Sequence, residues 1–443
     1  MKDTLDKTFS AAAPNPEKKK PRNGIKGLVH WKQDLTAGAI VALVSMPLSL
    51  AVAVASGAPP VTGFITAIVA GLVLPLIGGT YVIISSPAAG MAPVLYEAIY
   101  SLGNGNMLLG YQLILPLIVL AGIFQLGLSR LNVSALTKLF PPAVISGMLA
   151  AIGIIILIKQ IPVLLGTTFE AYSVTGIIFE LPIQLPNANL LVTSLGLLTL
   201  LLIVVFHFLS KRFVGLKILP AFSYALFISS LVSLSLPLAS EYLLQLPSDP
   251  LQSIVFFDPH LIMSSGEHWG KLLKAFISIL LINCIDSMAI LQAVDNIDPY
   301  ERKSDQKRSL LGIGACNIAS GMLGGITVIP EAIRSTVGIL AGSRTQWANF
   351  WNAVILLIGW LLLQPILTHI PLTVLAAVLI ACSLNLCKPA TWVMFWKEGK
   401  ISFAVFILTI ILTVKIDMLW GLLGGCALSY VLRFIELKFA EKQ

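Results

Sequence analysis

Apolar runs long enough to cross a bilayer recur from residue 34 to residue 436, and this recurrence restricts the chain to very few folds. In hydrocarbon every backbone N–H and C=O must find a partner inside the protein, so a chain spans as helices or as a closed barrel. Runs of about 17–25 apolar residues are helix-length. Hydrophobic residues make up 57% of the chain and charged residues 11%, against about 25% charged in a soluble domain. The expected class is an all-α polytopic membrane protein. The runs are too long and too numerous for a signal peptide.

About fourteen spans are expected, near 34–56, 61–77, 86–103, 109–128, 140–158, 190–209, 216–236, 270–292, 307–323, 331–342, 347–366, 371–386, 401–415 and 418–436. Residues 1–30 are polar, contain Lys18, Lys19 and Lys20, and read as a disordered basic cytoplasmic tail. Residues 437–443 read as a second cytoplasmic tail. With the N-terminus inside, the inner loops hold Arg130, Lys138, Lys211, Arg212, Lys217, Arg302, Lys303, Lys307, Arg308, Arg344, Lys388, Lys397 and Lys400. The long outer loop near 237–269 has no Lys or Arg but carries Glu241, Asp249, Asp258 and Glu267. That asymmetry places both termini in the cytoplasm of a multi-pass protein of the cell membrane. It also accounts for the net charge of +8 without nucleic acid, since the basic residues sit in short loops. The five cysteines lie in or beside spans without metal-ligand spacing and read as core thiols.

The chain repeats itself. Leu76 to Pro87 and Met322 to Pro330 each contain Gly-Gly, a β-branched run and a proline, followed by an apolar helix. Val82–Ile84 and Ile326–Ile329 read as short strands. Pro87 and Pro330 suit the first turn of the half-helices that follow, in the third and tenth spans. Seven spans separate the two copies, an odd number, so the halves are inverted. Inverted repeats with broken helices near the midplane are a signature of secondary transporters. Two half-helix N-termini facing one cavity would make an anion site. Ala88, Ala89, Gly90 and Ala332 would let an anion approach the backbone, and Ser85 and Ser86 would add hydroxyl donors.

Charge at membrane depth is costly, about 2.5–3.5 kcal/mol on insertion scales, and it marks function by default. Glu331 and Arg334 begin the tenth span, and their spacing suits an i,i+3 pair on one helical face. Asp286 lies mid-span in the eighth run. An isolated carboxylate there should be protonated, paired or bound to a cation, with Ser287 as a further oxygen donor. Glu97, deeper in the third span, reads as a partner within the bundle. No nucleophile–base pair, metal cluster or phosphate loop suggests an enzyme, and no cofactor is expected beyond a co-transported Na⁺ or H⁺.

Several motifs resemble the SulP family, the sulphate permeases, over nearly all of the chain after residue 30. They are Asp34–Gly38 with Met46-Pro47 and Ala51–Pro60, Gly78–Gly90, Asn317–Gly325, Arg334-Ser335 and Gly342–Thr345. Val294–Pro299 is similar to a bacterial subgroup. The resemblance implies a seven-plus-seven inverted repeat within residues 31–436. A core domain (about 34–128 and 270–366) would move against a gate domain (about 140–236 and 371–436). It implies a small inorganic anion such as sulphate, bicarbonate, chloride or oxalate, bound between the third and tenth spans, and an acid at Asp286 in cation-coupled members. Three departures stand out. The cytoplasmic STAS domain that usually follows the last span is not expected here, and a homodimer is left open. Leu48 stands where many members have glutamine, with Ser49 as a substitute contact. Ile333 stands where many have serine. The leading expectation is a secondary active anion transporter coupled to Na⁺ or H⁺. The alternatives are an uncoupled exchanger or channel and a nucleobase transporter, for which Asp286 and Glu331 would serve but Arg334 would not.

Overall fold

The computed structural model describes residues 20–131, 140–217, 219–246, 255–258, 260 and 269–440. Residues 1–19 and 441–443, with Lys138, Asp249 and Glu267, lie outside them. Every expected span overlaps a helix. The first half contributes α1 (Trp31–Ala55), α2 (Val61–Ile77), α3 (Ala92–Leu102), α4 (Met107–Leu128), α5 (Pro142–Lys159), α6 (Leu190–Arg212) and α7 (Ala221–Ser233). The second contributes α8 (Trp269–Asp295), α9 (Gln306–Met322), α10 (Ala332–Leu340), α11 (Trp347–Leu362), α12 (Leu372–Leu386), α13 (Lys400–Lys415) and α14 (Met418–Ala440). The fold is a seven-plus-seven inverted repeat of helices. Further helices among the described residues, Ile161–Leu165, Val174–Gln184, Gln364–Leu367 and Pro389–Glu398, lie between these.

The short strands β1 (Ile84–Ser86) and β2 (Ile329–Glu331) pair antiparallel, with Ile84 opposite Glu331, Ser85 opposite Pro330 and Ser86 opposite Ile329. Both lie two to three residues later than the β-branched runs suggest. The prolines explain the shift. A residue before proline is held in the extended region, so Ser86 and Ile329 stay in strand. Pro330 has no N–H to donate, and the middle pair of a three-residue antiparallel register can do without one. Pro330 therefore belongs to β2, not to a helix. The half-helices start later, α10 at Ala332, and α3 at Ala92 after a 3-10 turn over Ala89–Met91. Because the strands run antiparallel, α3 and α10 leave the sheet in opposite directions. In each repeat the first glycine of Gly-Gly has φ +78, at Gly78 and Gly324, a value natural only to glycine.

Helix packing falls into two sets. In one, α11 packs on α1 and α2, α9 on α2 and α4, and α8 on α3 and α4. In the other, α13 packs on α5 and α14, and α12 on α5 and α6. Lys274 of α8 bridges the sets, 2.7 Å from Asp417 before α14 and 3.2 Å from Glu97 of α3. The partner expected for Glu97 is thus this lysine.

Part of the expected N-terminal tail is structured. Gly24–His30 form a 3-10 helix that runs into α1. The backbone oxygen of Gly24 accepts from Trp347 Nε1 at 2.9 Å, and Asn23 Oδ1 accepts from the Gln346 N–H at 3.2 Å. Arg302 grips Asp298 at 2.7 Å and donates to the Pro21 carbonyl at 3.2 Å. Polarity alone misplaced this boundary, because the Pro21 and Gly24 carbonyls and the Asn23 side chain are used as anchors. At the other end α14 continues to Ala440, past the expected start of the tail.

Candidate functional site

The sheet brings together the three charges singled out from sequence. Asp286, Glu331 and Arg334 are all buried, Arg334 completely. Glu331 ends β2 with extended backbone and is the N-cap of α10. Its Oε2 accepts the Arg334 backbone N–H at 2.6 Å. The expected side-chain pair of Glu331 with Arg334 on one helical face is not formed, because Glu331 precedes the helix. An acid at the N-cap offsets the partial positive charge of the α10 terminus. Positive potential here therefore comes mainly from the guanidinium itself.

That guanidinium reaches back across the sheet. Its Nη2 lies 3.5 Å from the Pro87 carbonyl, at the entrance to the other half-helix. Its Nε and Nη1 have no hydrogen-bond partner among the described residues. Asp286 projects from α8 toward the same place. A Cβ built on Gly90 would sit 2.6 Å from Asp286 Oδ2, so only glycine lets the carboxylate lie against the backbone before α3. Asp286 Oδ1 is also buried without a partner among the described residues. Asp286 makes no hydrogen bond to Asn283 and no ion pair with Arg334 among the described residues. Glu331 is close enough to repel it. Cys382 of α12, from the other helix set, lies within electrostatic range of both Glu331 and Arg334.

The remaining candidates divide. Ser85 and Ser86 are buried in β1, and Ser86 Oγ lies 3.4 Å from the Pro87 oxygen. Ala88 and Gly90 are buried, while Ala89, Ala332 and Ile333 are half-buried around the helix starts. Ser49 is buried in α1 with its hydroxyl unpartnered among the described residues, and its carbonyl packs against Gly63 of α2. Ser287 Oγ lies 3.5 Å from Asn283 Oδ1.

Sequence reasoning passed over Gln125 of α4 and gave Asn317 of α9 no role beyond its motif. Both are amide side chains within apolar runs, which is the signal that would have found them. They belong to a hydrogen-bonded set around the segment leading into β2. A smaller set of anchors sits beside them: Tyr111 Oη donates to the Gly324 oxygen at 2.6 Å, and Thr66 Oγ1 accepts the Ile326 N–H at 2.7 Å.

The geometry sets a simple test. Gly90→Ala adds one methyl at a backbone conformation open to alanine, and the methyl collides only with a side-chain oxygen. The carboxylate should turn away, with folded yield kept and transport reduced at least several-fold. Uptake by purified Gly90→Ala protein in liposomes checks this, and uptake equal to the parent would mean that the Asp286–Gly90 contact is unimportant.

A buried arginine with free donors, beside an acid with a free oxygen, between two half-helices, can receive an anion and a cation side by side. Known proteins share this framework. The sulfate permease family model matches residues 31–409. The chain is 26% identical over 429 residues to "Putative sulfate transporter YvdB" of Bacillus subtilis, covering 91% of this chain and 74% of that protein. It is 27% identical over 421 residues to "Bicarbonate transporter BicA" of Picosynechococcus, covering 92% and 71%. The transmembrane domain of a cyanobacterial BicA superposes with a TM-score of 0.77 at 25% identity, covering 88% of this chain and 97% of that one. Murine Slc26a9 in its inward-facing state shares the fold, with a TM-score of 0.78 at 15% identity over 98% of this chain and 72% of that one. With its family model matched across most of its length, the chain belongs to the sulfate permease family.

Proposed function

We propose that this protein is a secondary active transporter of an inorganic anion of the sulfate or bicarbonate class. It works in the cytoplasmic membrane, is driven by Na⁺ or H⁺, and moves one helix set against the other. The observation that carries the reading is the wholly buried Arg334 with unpartnered Nε and Nη1, set beside the unpartnered Oδ1 of Asp286. A buried charge without partners is strongly unfavourable. An oxyanion supplies acceptors for the guanidinium, in the forked geometry that suits arginine. A cation or proton at Asp286 removes a negative charge that would repel that anion and also relieves the repulsion from Glu331. Filling either site thus favours filling the other, and the coupling is reciprocal. The names of the bicarbonate and sulfate transporters among its relatives support the anion class.

Uptake of labelled sulfate and bicarbonate into proteoliposomes, with and without an imposed Na⁺ or pH gradient, tests this. Accumulation above equilibrium under one of the gradients is expected. Uptake that never exceeds equilibrium, and that needs only an anion inside, would make the protein an exchanger instead.

A further inference from the structure

We propose that Gln125 is a positioning residue for the anion site, acting through a closed ring of hydrogen bonds that fixes the segment entering Arg334's helix. The ring starts and ends on Val328, one residue before β2. The Val328 N–H donates to Asn317 Oδ1 at 2.7 Å. Asn317 Nδ2 donates to Gln125 Oε1 at 2.8 Å. Gln125 Nε2 donates to Asn283 Oδ1 at 2.8 Å. Asn283 Nδ2 donates to the Val328 oxygen at 3.2 Å. All three side chains are buried.

The direction of the ring is forced. The Val328 N–H can only donate and its carbonyl can only accept, so the amides of Asn317 and Asn283 each have one allowed orientation. Gln125 must then present its oxygen to Asn317 and its nitrogen to Asn283. Head-to-tail bonds in a low-dielectric setting reinforce each other. Glutamine offers a donor and an acceptor at this reach without charge at any pH, whereas glutamate does so only when protonated.

The ring ties together the two sides of the site. Asn283 is three residues before Asp286, one turn away on α8. Val328 lies six residues before Arg334, and the intervening strand carries Glu331. A shift of the Gln125 amide therefore moves the acid and the arginine relative to one another. Extended backbone at membrane depth has to be satisfied by neighbouring elements. The first repeat does this differently: Thr80 Oγ1, in its extended segment, is buried with no partner among the described residues. Among the described residues the two half-helices are thus supported unequally, with side-chain amides holding only the one that bears the arginine.

The inference rests on the anion lying between the half-helices, and a single charge change separates the two ideas. Gln125→Glu keeps size and shape. A protonated glutamate donates to Asn283 and preserves the ring, whereas an ionised one sets two oxygens face to face. The titratable groups on the packed elements are Tyr96, Glu97 and Tyr100 on α3, Lys271, Lys274, Cys284, Asp286 and Asp295 on α8, and Lys307, Arg308 and Cys316 on α9. Of these only the Cys284 thiol touches Gln125, at 3.6 Å.

Anion uptake is measured in proteoliposomes from pH 5.5 to 9 for the parent, Gln125→Glu and Gln125→Met. The KM of Gln125→Glu relative to the parent should stay near one in acid and rise by about fivefold or more as pH increases, the loss of one hydrogen bond. Gln125→Met should show a raised KM at every pH. Maximal rates per folded protein, from size-exclusion profiles, should change less than KM. A pH-independent KM ratio for Gln125→Glu, or parental KM in Gln125→Met, overturns the proposal. Failure of the anion-site reading is seen separately, as parental uptake and affinity in Arg334→Gln.

Discussion

Arg334→Gln should lower anion uptake by roughly 10- to 100-fold, the range set by losing a charge-assisted hydrogen bond to a bound anion, with folded yield little changed. The mild effect on folding follows from what the side chain does in the protein. Its guanidinium makes one long contact, to the Pro87 carbonyl, and Nε and Nη1 have no partner among the described residues. The Glu331 cap binds the backbone N–H of residue 334, which glutamine retains. Removing the charge even relieves a desolvation cost. A residue that contributes so little to its surroundings, yet is kept charged and buried, is matched to a ligand. Arg334→Lys should recover part of the activity, because the charge remains while the fork is lost. Uptake into liposomes and anion affinity by isothermal titration provide the check. Parental uptake with unchanged affinity in the glutamine variant would remove Arg334 from the site.

The legible part of the fold was the part written in hydropathy. Each expected span overlaps a helix, since a bilayer requires a run of about 20 apolar residues and little in the loops imitates one. The paired broken helices were also legible, because Gly-Gly at φ +78 and a following proline leave marks at fixed offsets. Where the strands begin was not. The β-branched run at 326–329 pointed to an early strand, but pre-proline geometry carried it on to Glu331. That shift turned Glu331 from a helix-face residue into a cap, and with it the expected Glu331–Arg334 ion pair became a backbone hydrogen bond. The amide ring escaped notice for another reason. Its members come from three helices, and only the fold brings Gln125, Asn283 and Asn317 to one backbone residue. The N-terminal boundary was misread because Pro21, Asn23 and Gly24 are anchored by two carbonyls and one side-chain amide, contacts that composition does not record.

Asp286→Asn should leave the protein folded and abolish gradient-driven accumulation, while anion exchange at equilibrium continues. The substitution is isosteric, and the Asp286 carboxylate holds up no neighbouring group: Oδ1 lacks a partner among the described residues, and Oδ2 lies against the glycine backbone at Gly90. What changes is the charge. An ionised Asp286 repels both Glu331 and an incoming anion, and a cation or proton relieves that repulsion. Asparagine is neutral throughout, so it mimics the loaded state permanently. The anion should then bind with no need of the cation, and the dependence of anion KM on Na⁺ or on pH should vanish together with accumulation. These two losses belong together, because one coupling free energy governs both. Uptake is measured with and without the gradient, and anion KM as the driving cation is titrated. An asparagine variant that still concentrates its anion under the same gradient would assign coupling to another residue, and the obvious next candidate is Glu331, the other acid at the site. A variant that loses accumulation but keeps a cation-dependent KM would show that Asp286 serves the movement of the helices rather than the cation itself.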